Sequence, residues 1–223
     1  MALHGFRKGA EPRALLDWKH RKVEQEQREL AEVAWDELDI AAKQGLREAL
    51  LLSQGALCAY CGARIRSTTM RIDHWSAQRD HPGLRFEWSN LLGVCDGDDG
   101  LERHCDNARG PAPLVYKPDR DPVHEVFVFR DRRAASGGRE NWIEFAADDR
   151  EATDIEVLNL NAQRLRRNRR AALDAVENGL QRRFPNRTVS QVELDRLMAW
   201  KEELRPYFQV IRPFLQRLRR KAL

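Results

Sequence analysis

Cys58-Ala59-Tyr60-Cys61-Gly62, Met70-Arg71-Ile72-Asp73-His74-Trp75, Ser89-Asn90-Leu91 and His104-Cys105-Asp106-Asn107-Ala108-Arg109-Gly110 follow one another within residues 58–110 of this 223-residue chain. All four cysteines, Cys58, Cys61, Cys95 and Cys105, lie in this stretch. Two thiolates two residues apart grip one tetrahedral ion, and Gly62 supplies the turn behind them. Cys95 and Cys105 form the second half-site. The segment between them, with Asp96-Gly97-Asp98-Asp99-Gly100, is glycine-rich and acidic, so it can loop out and return Cys95 to Cys105. The expectation is a structural Zn²⁺ on the four cysteines. The alternatives are four small buried residues, or His104 replacing one thiolate. A module this short and polar needs such a staple.

Between the half-sites, residues 70–75 read as a short strand that ends in Asp73-His74. An Asp-His pair, an Asn and a further Asp suit phosphodiester hydrolysis. That reaction needs a base to deprotonate water, and neutral His serves at physiological pH. It also needs a cation to neutralise the developing charge, and Mg²⁺ favours one or two carboxylates plus water and phosphate oxygens. Asp73 and Asp106 are the candidate ligands, and Asn90 is suited to orienting His74 or its backbone.

On these residues the stretch resembles the HNH nuclease family, in which a ββα-metal fold carries Asp-His at the end of its first strand. Ser89-Asn90-Leu91-Leu92 is similar to the family's middle Asn. Cys105-Asp106-Asn107-Ala108-Arg109-Gly110 is similar to the closing motif of its zinc-bearing branch, with Arg109 in the place of a Lys. The resemblance implies that His74 is the general base, that Asn90 positions it, and that Asp73 and Asp106 hold the catalytic divalent cation. His104 and Asn107 are further candidates for that cation. Leu57-Cys58-Ala59-Tyr60-Cys61, His104-Cys105-Asp106 and Ile155-Glu156-Val157-Leu158-Asn159-Leu160-Asn161 also resemble the PtuB-like HNH subunit of Septu-type and certain retron anti-phage systems. That resemblance implies a DNA-cleaving effector working beside an ABC/SMC-like ATPase. The alternatives are an RNA target such as tRNA, or a zinc-stabilised binding module without catalysis.

Outward from the module, residues 1–13 read as a polar arm, either a tail or a docking segment, with Phe6 and Arg7-Lys8 able to dock. Residues 14–55 read as two helices, about 14–33 and 35–52, the second stopped by Gly55. The module spans 56–112. Residues 113–150 read as a linker and a β-hairpin, with strands at 126–129 and 142–145 around Gly137-Gly138. Residues 151–223 read as a helical region. There Thr153 and Glu156 suggest a capping box, and Pro213 predicts a kink or a break. Arg164, Arg166, Arg167, Arg169 and Arg170 cluster on the helix at 162–180. Three readings of the run stand: a phosphate track, ion pairs with the chain's own acids, or a protein interface. Arg109, Arg166, Arg167 and Arg170 are the candidate nucleic-acid or partner contacts.

Lys and Arg number 39 and Asp and Glu 35, a net charge of +4, which permits a polyanionic partner without requiring one. No stretch approaches the ~18 apolar residues of a membrane span, and no apolar signal core follows the N-terminus. The expectation is a cytoplasmic protein, where clustered cysteines are metal ligands more often than disulfides. The fold class expected is α+β, mostly helical, with a central zinc-stapled ββα module, a short hairpin and a C-terminal helical region.

Overall fold

The computed structural model describes residues 6–98, 100–121, 123–135, 137–146, 153–185, 188–199 and 204–221. The first residues of the arm, and residues 151–152 and 200–203 of the helical region expected over 151–223, lie outside them. The fold is α+β with about 46% helix and two small antiparallel sheets. In chain order the elements are α1 (Arg13–His20), α2 (Ile40–Gln54), β1 (Arg71–His74), β2 (Leu91–Val94), α3 (Asp106–Arg109), α4 (Val123–Val126), β3 (Phe127–Arg133), β4 (Arg139–Phe145), α5 (Asp154–Val157), α6 (Gln163–Arg183), α7 (Gln191–Met198) and α8 (Phe208–Lys221).

The helix expected over 14–33 is much shorter. After α1 the chain widens into a π-turn at Arg21–Gln25, and Gln27 adopts a left-handed φ of 54° that ends it. The break frees the chain to turn inward, so that Val33 and Leu38 enter the core. The second helix starts at Ile40 rather than Trp35, because the Asp39 carboxylate accepts the Ala42 N–H at 2.8 Å and caps it. Gly55 ends it as expected, in the left-handed region at φ 61°. Ala42, Leu46 and Leu50 recur at four-residue spacing and are fully buried.

β1 and β2 pair antiparallel, with Asp73 opposite Leu92 and His74 opposite Leu91. All four residues of β2 are buried, so the sheet backs directly onto the core. The main-chain groups of the β2 edge are met by side chains: Gln54 accepts from Gly93 N at 2.8 Å and donates to Gly93 O at 2.8 Å. The hairpin β3–β4 forms where expected but is longer, with Phe127 opposite Phe145 and Arg133 opposite Arg139.

The capping box at Thr153 does not form. The next residue takes backbone donors of a different segment: the buried Asp154 carboxylate accepts Val115 N and Tyr116 N at 2.8 and 2.9 Å, fixing the connection that leaves the module. α6 runs on past Gly179 to Arg183, and α8 continues through Pro213 without a break. The C-terminal region packs back on the module. Leu204 N donates to Gly55 O and Tyr207 N to Gly62 O, and Gln209 Nε2 donates to Cys61 O at 2.6 Å.

Of the three readings of the basic run on α6, this packing favours ion pairs with the chain's own acids. Arg169 is 1% exposed and donates to Asn141 O, Leu160 O and Asn161 Oδ1, bolting α6 to β4. Arg170 pairs with Asp131, Asp174 and Glu177. Arg166 pairs with Glu140 and lies 4.1 Å over the Trp142 ring. Arg170 is buried and Arg166 half-buried, so both guanidiniums are engaged within this chain. Arg167 remains over half exposed, with Glu140 at 3.4 Å. The arm is corrected likewise. Phe6 is buried in the core, and Lys8 donates to Trp88 O at 2.6 Å and pairs with Asp119 at 3.3 Å. Both residues dock on this chain itself.

Arg169→Met removes the donors of three buried acceptors and should lower unfolding free energy by about 2 kcal/mol. Arg167→Met should change it by less than about 0.5 kcal/mol. Urea denaturation of the two variants beside the parent chain measures both.

Candidate metal centre and the Asp-His-Asn cluster

Three segments deliver the four cysteines to one point. Cys58 and Cys61 lie on a tight knuckle closed by Cys58 N to Ala63 O and Gly62 N to Cys58 O. Cys95 directly follows β2, and Cys105 directly precedes α3. All four sulfurs lie within 4.8 Å of one another. Cys58 Sγ stands 3.9 Å from Cys105 Sγ, and Cys61 Sγ 3.7 Å from Cys95 Sγ. A tetrahedron of thiolates at the ~2.3 Å Zn–S distance has edges of about 3.8 Å. The donor set therefore fits zinc. Burial and the neighbouring thiols push the Cys105 thiol well above its ordinary pKa. Four thiols this close carry thiolate charge together only when a cation shares it.

The loop between Cys95 and Cys105 folds out and back as expected. Gly97 makes the return: its φ is 71°, its carbonyl accepts His104 N at 2.8 Å, and a Cβ there would overlap the His104 carbonyl oxygen. Asp98 and Arg103 bridge the loop's arms. His104 Nδ1 stands 3.2 Å from Cys105 Sγ and 4.0 Å from Cys95 Sγ. His104 thus flanks the thiolates, while the metal-binding set among the described residues consists of the four cysteines. Cys105 itself holds φ 56°, rare for a side-chain-bearing residue. Its N–H donates to Leu158 O at 2.8 Å, so the strained residue is clamped from the C-terminal region.

On the other side of the β1–β2 hairpin lies the Asp-His-Asn cluster. His74 is buried at the end of β1. Its Nε2 lies 2.9 Å from the Arg85 carbonyl oxygen. A carbonyl only accepts, so Nε2 carries the proton and Nδ1 holds the lone pair. The ring packs edge-on against Trp35 at 4.7 Å, and Trp35 stacks on Phe86. Burial lowers the His74 pKa, which keeps the ring neutral at pH 7.

Asn90 holds the surroundings of that ring. Its Oδ1 accepts Ser76 N at 2.8 Å, and its Nδ2 donates to Ser76 O at 3.0 Å and Leu84 O at 3.1 Å. It thereby fixes the backbone two residues beyond His74 and the residue before Arg85. Asp73 accepts His74 N at 2.8 Å on one oxygen and receives Tyr60 OH and Arg109 Nη1 on the other. Asp106 lies beside Asp73. Burial, then the Asp73 charge, push its carboxyl up to about 6, against the pull of Arg71, whose Nε is 3.1 Å away. Two carboxylates that repel one another in a half-buried site match a cation's needs.

Arg109 does not reach outward. It is 4% exposed and donates to Asp73, Tyr60 OH and the carbonyls of His74, Trp75 and Ala112. The reading of Arg109 as a nucleic-acid or partner contact is corrected: it welds α3 to the end of β1. Asn107 holds Arg71 with its Oδ1 and Asp96 O with its Nδ2. Its amide is engaged away from Asp73, as His104 is engaged at the thiolates. Tyr60, Arg71 and the Arg85 carbonyl complete the cluster without a recognisable local pattern. Only Tyr60 carried a hint, as an aromatic inside the knuckle. Trp75, next to His74, lies under Lys117 Nζ at 5.6 Å and the Arg120 guanidinium at 5.9 Å, a cationic and aromatic patch beside the histidine.

No model of a known protein family matches the chain, and no curated protein matches it. No helix among the described residues is long and apolar enough to cross a membrane.

Cys58→Ser and Cys105→Ser should each abolish zinc binding and unfold the module. Acidification should release zinc from the parent chain, because protons compete for the thiolates. Elemental analysis with far-UV circular dichroism measures both. Retention of stoichiometric zinc by either variant would count against a four-cysteine site.

Proposed function

We propose that this chain is a metal-dependent HNH-type endonuclease that hydrolyses phosphodiester bonds, with DNA as its target ahead of RNA. The observation that carries the proposal is the state of His74. Its ring is neutral and fixed in one tautomer by the Arg85 carbonyl, and its base nitrogen is Nδ1. A second support is the adjacent carboxylate pair, Asp73 and Asp106, on neighbouring ends of a β1–β2–α3 unit.

In this reading His74 Nδ1 takes a proton from the attacking water, and the ring shares the charge through Nε2–H and the Arg85 carbonyl. Asn90 acts at one remove. It holds Ser76 and Leu84 and therefore the loop walls on both sides of the imidazole. Asp73 is oriented by Tyr60 and Arg109, leaving lone pairs of its carboxylate for a metal contact. Asp73 and Asp106 would hold a divalent cation such as Mg²⁺, which would supply charge neutralisation at the phosphate and at the leaving oxygen. The thiolate site keeps these groups in register and takes no part in the reaction. The Trp75–Lys117–Arg120 patch offers one base or phosphate a stacking and charged surface beside His74.

An anti-phage role with an ABC/SMC-like ATPase partner, in the cytoplasm, follows from the resemblance of residues 57–61, 104–106 and 155–161. A zinc-stabilised binding module without catalysis is the reading the same test separates. His74→Ala should lower cleavage of plasmid DNA, or of tRNA if RNA is the target, by about 10²–10⁴-fold while zinc content stays unchanged. Protonating the imidazole disables it, and burial lowers its pKa, so the acid limb of kcat/KM should fall below pH 6.5. If the purified chain with Mg²⁺ and its ATPase cuts neither substrate, or if His74→Ala cuts as well as the parent, the nuclease assignment fails.

A further inference from the structure

A groove of about 390 Å³ runs between β3 and α8, and none of its lining residues belongs to the Asp-His-Asn cluster. Four consecutive β3 residues, Phe127, Val128, Phe129 and Arg130, line it. Alternate side chains of a strand point to opposite faces, so four in succession line a cavity only where it meets the strand along its edge. β3 pairs with β4 on one side, and among the described residues no strand lies beside its other edge. The groove is therefore open to main-chain pairing along about 13 Å of strand. Its walls add two further features. Leu173 of α6 and Val210 of α8 make an apolar floor with Phe127. Arg212 and Arg217 stand exposed on the α8 rim, and neither has a hydrogen bond or an ion pair among the described residues.

One polar group in the wall lacks a partner. Gln209 is 2% exposed, its Nε2 is held by Cys61 O, and its Oε1 is buried and accepts nothing. A buried acceptor without a donor is unfavourable.

We infer that the β3–α8 groove binds an extended acidic peptide segment of a partner protein, added as a third strand to β3. Its backbone would pair with the open edge, alternate apolar side chains would reach Leu173 and Val210, and its carboxylates would meet Arg212 and Arg217. Nucleic acid fits less well, since a phosphodiester backbone has no N–H to pair with a strand edge. The inference does not depend on the nuclease reading, because no residue of the Asp-His-Asn cluster touches the groove.

Random peptides displayed on phage and selected against the full zinc-loaded chain provide the test. Enriched sequences are resynthesised with a fluorescent label and titrated by anisotropy. Acidic residues alternating with apolar ones should be enriched. Affinity should fall by about tenfold or more in an Arg212→Glu, Arg217→Glu double variant. N-methylation of alternate peptide amides, which blocks strand pairing, should weaken binding similarly. Both arginines are exposed, and the Arg212→Gln, Arg217→Gln pair, checked by zinc content and circular dichroism, provides a milder variant with an intermediate effect. The inference is overturned by no enrichment, by enriched peptides without net negative charge, or by equal binding to the double variant. It is overturned equally if a single-stranded oligonucleotide of the same charge competes as well as the acidic peptide, or if sedimentation shows a second copy of the chain filling the groove.

Discussion

Four sulfur atoms must meet within 4.8 Å, although they come from a knuckle, the end of a strand and the start of a helix. That closure sets the geometry of everything around it. The knuckle that carries Cys58 and Cys61 also carries Tyr60, whose hydroxyl reaches Asp73. The strand that delivers Cys95 is the partner of the strand that ends in His74. The residue after Cys105 is Asp106, and α3 turns Arg109 back under β1. One constraint thus places both carboxylates and the guanidinium that orients one of them. Its strained point, Cys105 at positive φ, is held from outside by Leu158. The C-terminal region is in this sense part of the centre.

Arginine does the second half of the structural work. A guanidinium has five donors in a fixed plane and stays charged when buried, so it can satisfy several carbonyls at once. Arg109 gathers three backbone oxygens and a carboxylate beneath the histidine. Arg169 does the same between α6 and β4, and Arg64 ties Gly55 and Ala56 to Leu204. Arg109, Arg169 and Arg170 are therefore buried cations of the interior. On the α8 rim, by contrast, Arg212 and Arg217 are exposed.

The N-terminal segments contribute to the cluster through a wall of rings. Trp18 packs on Phe86 at 4.6 Å, Phe86 stacks on Trp35, and Trp35 meets His74. Arg85, whose carbonyl fixes the imidazole, is itself anchored by Val33 O and Ala31 O. The break in the first expected helix produces this arrangement. A continuous helix to Val33 would carry Trp35 along its axis and away from the ring.

What the sequence determined by itself is chemistry fixed by short spacing. The knuckle, the strand ending in Asp73-His74, the looping of residues 96–104 and the stop at Gly55 depend on neighbours a few residues apart, where turn geometry and thiolate spacing leave few choices. The α+β class and the hairpin were legible for the same reason, through periodicity. The tertiary structure alone decided the direction in which the polar side chains face. The sequence left Arg166 and Arg170 between outward contact and pairing with the chain's own acids; they pair internally, as Arg109 does, because buried carbonyls and carboxylates from distant segments need donors and a desolvated guanidinium needs acceptors. Asn90 reaches His74 through Ser76 and Leu84, and Asp154 caps residues 115 and 116 instead of its own helix. Such pairings join groups far apart in the chain, and no local pattern of residues encodes which buried donor will meet which acceptor.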